Sequence, residues 1–467
     1  MNYLLLYNGV RIVDAPCPQN VMRIDMGAMP MVEEMHRRGI RVDVPYLRDL
    51  DGKLAARQRD IELDIDGLVG SDYPGFMPSS PDQVAILLFG KMGLVPPGKL
   101  RRVKSGRVST EDEVLSSMVA MHPVVGKILD HREVAKLRST YTGPIPTMVR
   151  ADGRLYTIFK MTRTDTGRLA CGDRKQGYCN LQNIAVRGEW GPLVRNGFIA
   201  SPGMRLLSVD LRQIEMRLAA YMSVDSAMTG IFLNGLDIHN RTACALFKLD
   251  IERIDYLAAR DDAGTLEGEE AAEWKNFKRT QRAPSKNLGF GILYGLTAQG
   301  LQANIMAEGG PKIEVEECQR YIDEWFRAYP GIKTWMELQY QRARMTGMVW
   351  TLFGRTRRIP GVMSMARDLV SEADRQAGNM PIQGTAGDLL KLIMAEMIPI
   401  VEYYGSFPSV RLWPLLQVHD ELIFECSPDI VDDFAHETRF VMQNVLRGQL
   451  GPVDSSADIG ERWGSLK

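Results

Sequence analysis

Two aspartates far apart in the sequence each sit beside a strand-like apolar run. Asp210 follows Arg205-Leu-Leu-Ser-Val and lies in the block Val209–Arg217, and Asp420 lies in the run Leu415–Glu425. Between them, Arg282, Lys286, Phe290 and Tyr294 recur at a spacing of four, which puts them on one helical face. Fixed carboxylates suit a hard cation. Mg2+ takes oxygen ligands and keeps several waters, so one or two carboxylates plus substrate phosphates complete its shell. Two such ions about 3.5–4 Å apart can hold both the attacking and the leaving oxygen of an in-line displacement. Arg282 and Lys286 can grip a triphosphate, and Lys286 can protonate a departing pyrophosphate. Phe290 and Tyr294 offer flat surfaces to a sugar and a base, while Gly291 and Gly295 leave room for close approach. Pro284 belongs in a first helical turn, so the helix is expected to begin or kink there. Each aspartate alone reads as a surface turn residue, and the helix alone as an amphipathic core helix. Together they point to metal-assisted phosphoryl chemistry on a nucleotide.

The elements that position these groups need several subdomains, because 467 residues exceed one ordinary core. A hydrophobic content of 45% and a charged content of 25% exclude disordered and fibrous classes. With 57 basic against 58 acidic residues the chain has no uniformly basic coat, yet a locally positive cleft stays open. Six scattered cysteines form no C-x-x-C pair, and Cys171 and Cys179 are too widely spaced for a zinc knuckle. They read as reduced thiols of a cytoplasmic protein. No apolar run approaches the ~20 residues needed to span a bilayer, and the start lacks a basic region typical of a signal peptide.

Residues 1–27 read as an extension with a strand pair around Asn8-Gly9, followed by a helical pattern from Met29. Residues 45–150 read as a helical arm, with Leu47, Leu50, Leu54, Ile61, Ile65 and Leu68 on one face. Within it Ser80-Pro81 opens a helix, Lys99–Arg107 is a basic loop suited to solvent or to phosphate, and Thr110–Glu113 is a capping box. A long helix over Val124–Thr140 closes the arm. Leu206–Val209 is strand-like and residues 213–345 are mainly helical. The acidic stretch Glu252–Glu273 reads as an exposed insertion without catalytic purpose. Then come a hairpin at Thr351–Pro360, a helix over Glu372–Val401, a hairpin at Leu412–Cys426 with His419-Asp420-Glu421 at its tip, a helix near Pro428–Leu446 and a polar strand.

These blocks resemble motifs A, B and C of the bacterial DNA polymerase I family, family A, from about residue 28 to the C-terminus. Thr166-Gly-Arg-Leu169, Asn180-Leu-Gln-Asn-Ile184, Asp237-Ile-His239, Pro381-Ile-Gln-Gly-Thr385 and Ser139-Thr-Tyr141 match further family segments in order and spacing. The resemblance implies an α+β right-hand polymerase. Its palm has an antiparallel sheet (151–212 and 368–467, with 28–44 attached), and its thumb (45–150) and fingers (213–367) are mostly helical. It implies template-directed addition of dNTPs to a primer with two Mg2+ ions, Mn2+ being a substitute, by a monomer bound to primer-template DNA and no membrane. Asp210 and Asp420 match the metal ligands and Glu421 the auxiliary acid. Lys286 matches the general acid. Arg282 and His239 match triphosphate contacts, and Phe290, Tyr294, Glu215 and Gln213 complete the nucleotide site. Glu215 matches the gate that leaves no room for a 2′-OH, and Phe290 implies discrimination against dideoxynucleotides. Arg168 and Gln383 match minor-groove readers. Asn180, Asn183, Arg375, Asn379 and His419 are expected on primer or template.

The chain departs from the family at Leu211-Arg212, where Tyr-Ser is usual, and in the longer Cys171–Cys179 and Glu252–Glu273 segments. Arg212 reads equally as a phosphate contact or a solvated side chain. A proofreading exonuclease needs about 150–200 residues, which the 27 residues ahead of the resemblance do not supply, so proofreading is expected from a separate exonuclease or replication proteins, as in a phage or mobile element. The rivals are a single-subunit RNA polymerase, against which Glu215 and Phe290-Gly291 argue, and an inactive DNA-binding relative, against which Asp210, Lys286 and Asp420 argue.

Overall fold

The computed structural model describes residues 9–70, 73, 75–96, 102–103, 106–185, 188–307, 313–446 and 453–466. Its centre is a four-stranded antiparallel sheet in the order Asp454–Gly460, Arg205–Arg212, Glu421–Cys426, Leu412–Val418. The run that suggested a strand explains its central place. Leu206, Leu207 and Val209 are fully buried, as expected where both faces of a strand are covered. Helices Pro18–Arg38 and Arg367–Gly405 pack on each other, and both pack on strand Leu412–Val418. Helix Val431–Asn444 packs on Asp454–Gly460 and Arg205–Arg212.

The helical arm pairs Val44–Val69 with Pro123–Leu137. Leu47, Leu50, Leu54, Ile61 and Ile65 are buried as their spacing predicts, whereas Leu68, in the last turn of the helix, is 38% exposed. Ser80 caps the next helix as expected, its Oγ accepting from the Gln83 N–H. The helix expected to open at a Thr110 capping box starts at Asp112, with Glu111 rather than Thr110 at its N-cap and no side-chain cap there, and Ser109 accepts from the Glu111 N–H. Much of the basic loop Lys99–Arg107 lies outside the described residues, as does the first half of the strand pair expected around Asn8-Gly9.

The expected extension over residues 1–27 is corrected by helix Pro18–Arg38, which crosses that boundary without a break. The acidic stretch is helical. Helices Ile251–Asp262 and Gly268–Phe277 form a hairpin with its own apolar cluster of Ile254, Leu257, Trp274 and Phe277, closed against Ala243 and Cys244. Its charges pair: Arg253 with Glu270 and Glu273, Arg260 with Glu270, and Lys278 with Asp261. The six cysteines carry free thiols. Among the described residues no helix is long and apolar enough to cross a membrane.

Candidate active site

The sheet brings the two distant aspartates side by side. Glu421 pairs in register with Asp210 across the central strands, and the Leu211 N–H donates to the Asp420 carbonyl at 3.2 Å. Both aspartates are half-buried at the sheet's end. Each is flanked by a strained residue. Gln213 has φ 55° and His419 φ 54°, a left-handed conformation that non-glycine residues seldom adopt and that clusters at functional sites. Gln417 secures the second turn by donating to the His419 carbonyl, and Gln182 donates to Gln417 Oε1 at 2.7 Å. The Asn180–Asn183 segment is thereby pinned to the Asp420 turn. Asn180 itself accepts from the Gln182 N–H at 3.1 Å, and the Asn183 carbonyl accepts from the Tyr141 hydroxyl.

Glu421, directly opposite Asp210 in the pairing, is 3% exposed and accepts from Ser208 Oγ. Arg212 is directed to the sheet's rim, 3.6 Å from Asp454 on the neighbouring strand. Leu211 is buried on the opposite face. Arg212 thus forms a surface ion pair in the structure.

A second cluster joins Glu215 to three other segments. Arg168 donates to Glu215 Oε1 at 2.6 Å and lies 3.5 Å from Asp420 Oδ1. The Tyr294 hydroxyl donates to the Glu215 carboxylate at 2.8 and 3.0 Å, and Gln383 Nε2 reaches the same hydroxyl at 3.4 Å. Burial and then the Glu215 charge push the Tyr294 hydroxyl well above its usual pKa. Arg168 keeps its charge against burial because Asp420 and Glu215 oppose the desolvation. Its buried Nε has no hydrogen-bond partner among the described residues. Gln383 and Asn379 are both half-buried, a turn apart on the Arg367–Gly405 helix, and Arg375 bonds Glu372 one turn earlier.

The third group builds a positive wall. Arg282 ends a π-turn at Lys278–Arg282, and the α-helix proper runs Ala283–Leu293 with Pro284 in its first turn. The α-helix therefore begins at Ala283-Pro284, one of the two outcomes expected there. Arg282 Nη2 donates to Asp237 at 2.8 Å and its Nε to Asn240 at 2.9 Å. The other oxygen of Asp237 caps helix Ile238–Phe247 by accepting from the His239 and Asn240 N–H groups, both at 2.8 Å. Gln213 donates to Asp237 at 3.3 Å, tying this wall to the strand that carries Asp210. His239 is 2% exposed and stacks at a tilt on Phe290, with ring centroids 5.5 Å apart. Burial lowers its pKa to about 4, with Arg282 and Lys286 adding to that and Asp237 opposing it. The ring is therefore neutral, and its buried Nε2 has no hydrogen-bond partner among the described residues. Lys286 is exposed on the same helix face.

The donor set fits a hard divalent ion. Asp210 and Asp420 offer only oxygen, yet no group of three or more His, Cys, Asp or Glu that could hold a metal ion occurs among the described residues. Two carboxylates suit an ion shared with substrate phosphates. Sequence reasoning assigned no role to Asp237, Asn240, Gln182 or Gln417. An Asp two residues before the His of a helix start was the available signal for the first of these.

Residues 44–465 match the family model for DNA polymerase family A. The chain is similar to the thermostable DNA polymerase I of Thermus aquaticus, at 36% identity over 438 residues, covering 94% of this chain and 47% of that protein. It is 35% identical over 434 residues to DNA polymerase I of Deinococcus radiodurans, covering 93% and 41%. It thus spans about half the length of the curated relatives it matches. The POL domain of Pol1 from M. smegmatis, solved in complex with DNA primer-template and dNTP, superposes with a TM-score of 0.80 at 29% identity, covering 96% of this chain and 72% of that one. The fold is the expected α+β polymerase fold, and the chain belongs to DNA polymerase family A.

Proposed function

We propose that the protein is a template-directed DNA polymerase that adds dNTPs to a primer 3′-OH. One observation carries this reading: Asp210 and Asp420, brought together by the sheet, share a site with Glu215, which links through Tyr294 to helix Ala283–Leu293 that carries Lys286. Mg2+ or Mn2+ held by Asp210 and Asp420 would supply charge neutralisation at the attacking and leaving oxygens. The chain's own residues do the rest. Arg282 and Lys286 bind the triphosphate, and neutral His239 contributes a ring nitrogen to it. Lys286 delivers a proton to the departing pyrophosphate. Phe290 and Tyr294 stack against the sugar and the base. Glu215 fills the space a 2′-OH would need. Arg168 and Gln383 contact the primer terminus, and Asn180, Asn183, Arg375, Asn379 and His419 contact the nucleic-acid strands. Duplex grip is largely electrostatic and weakens with salt.

Extension of a primed template with dNTPs, and separately with rNTPs, in Mg2+ or Mn2+ tests the reading. Incorporation of dNTPs in preference to rNTPs is expected. A strong rNTP preference, or no extension in either ion, overturns it.

A further inference from the structure

Behind Arg168 lies a largely buried quartet of charges, Arg355, Asp25, Asp388 and Lys391, none of them assigned to nucleotide binding. Arg355, in the turn between strands Met348–Trp350 and Thr356–Arg358, donates through Nε to Asp388 at 2.6 Å. Its two terminal nitrogens donate to Asp25 at 3.2 and 2.7 Å. Lys391 donates to the same Asp25 at 2.7 Å, and Thr351 Oγ1 donates to Asp388 at 2.8 Å. Asp388 is fully buried and Lys391 is 1% exposed. Two cations and two anions sum to zero, which limits the desolvation cost that an unmatched buried charge would carry. The quartet joins helix Pro18–Arg38, the hairpin turn and helix Arg367–Gly405.

The same quartet supports the loop that delivers Arg168. Lys391 Nζ reaches the Met161 carbonyl at 3.4 Å, and Thr164 Oγ1 closes the loop by donating to the Arg168 carbonyl at 2.6 Å. Gly167 has φ +79°, and a Cβ built there would stand 2.4 Å from Arg355 Cδ, so the Arg355 stem lies directly against the Gly167 backbone. On the other side, a Cβ at Gly387 would stand 2.9 Å from Arg168 Cγ. Arg168 is thus held between the Arg355 stem and helix Arg367–Gly405.

We propose that Arg355, forked between Asp25 and Asp388, is the positioning residue that holds Arg168 against Glu215 and Asp420. This rests on the reading of Arg168 as a primer-terminus contact. A guanidinium suits this place, because its planar fork holds three N–H groups in fixed directions towards the two carboxylates, which a single ammonium nitrogen does not reproduce. Displacing a positioned group by about 1 Å costs up to about 100-fold in rate.

The test is single-nucleotide incorporation on matched and mismatched primer termini by R355K, D388N, Gly167→Ala, R168A and R355K/R168A, with thermal unfolding measured alongside. R355K is expected to lower matched-terminus kcat/KM by up to about 100-fold and to narrow the matched-to-mismatched ratio. Adding R355K to R168A should cost less than about threefold more, because the two act through one group. Gly167→Ala presses on Arg355 without changing a charge and should reproduce the R355K pattern. D388N, nearly isosteric, does the same if R355K fails to fold. A full multiplicative loss in the double variant, or an unchanged ratio in folded R355K, D388N or Gly167→Ala, overturns the inference. An unchanged ratio in R168A overturns the reading of Arg168 and the inference with it.

Discussion

Replacing Glu215 by alanine should have two separable effects. Glu215 is 7% exposed, and its carboxylate accepts from Arg168 at 2.6 Å and from Tyr294 at 2.8 Å. Removing one partner of a buried ion pair costs about 3–5 kcal/mol because the other charge is stranded. Arg168 keeps Asp420 at 3.5 Å, so the loss of stability should fall at the lower end, about 3 kcal/mol. The second effect is on selectivity. The space vacated would admit one hydroxyl, and a change of one methylene-sized group in a pocket is worth about 10–200-fold. The rNTP-to-dNTP ratio of kcat/KM should therefore rise by about 100-fold. Glu215→Gln separates bulk from charge. It keeps the volume and loses the ion pair, so stability should drop while the ratio stays within about threefold of wild type. Single-nucleotide incorporation with each dNTP and rNTP, together with urea unfolding, reads both effects. An unchanged ratio in the alanine variant would refute the steric argument. So would a glutamine variant as permissive as alanine, since charge rather than bulk would then set the ratio.

Asp420→Ala should abolish extension in both Mg2+ and Mn2+ while primer-template affinity stays within about threefold; extension at the wild-type rate in a steady-state assay rules out its role as a metal ligand. For His239, burial sets the folded pKa near 4 against an ordinary 6.5. A base with a depressed folded pKa binds protons better when unfolded, so stability should fall as pH drops from about 6.5 to about 4, by about 3 kcal/mol in full. Chemical unfolding across that range should show a slope that His239→Gln flattens, and an identical slope in the variant argues against the assignment. Gly295 has φ +73°, and a Cβ there would stand 2.3 Å from Arg375 Cγ. Gly295→Ala should therefore destabilise by about 1–3 kcal/mol and displace Arg375, and equal melting temperatures for variant and parent would contradict this. Trp274→Ala, in the acidic hairpin's own cluster, should cost about 3–5 kcal/mol locally, seen as faster hydrogen exchange confined to residues 251–277.

Those groups were readable in the sequence whose chemistry travels with local pattern. Asp210 announced itself because Leu206, Leu207 and Val209 precede it as a buried run, and Lys286 because four-residue spacing fixes a face. Pairings across the fold had no such trace. Gln182 and Gln417 are 235 positions apart, and Lys391 and Asp25 are 366 apart. Nothing near either member of such a pair marks it as bound. The first half of helix Pro18–Arg38 was hidden for a different reason. It starts without a side-chain cap and carries Pro30 inside, so the helical pattern read from Met29 was not extended back to Pro18. The acidic hairpin was legible in part. Its charges masked Ile254 with Leu257 and Trp274 with Phe277, whose spacing of three was the sign of buried faces.

The left-handed backbone at Gln213 and His419 also narrows what sequence drift can do beside the two aspartates. Non-glycine side chains at either position keep a conformational cost, and β-branched residues take up this conformation least readily, although Val224 does so at φ 53°. Glycine is the open exit. It would relieve about 1–2 kcal/mol at each position, and it would surrender the Gln213 link to Asp237. A saturation library selected for thermal survival alone should therefore enrich glycine at both positions. The same library selected for extension should keep side chains there.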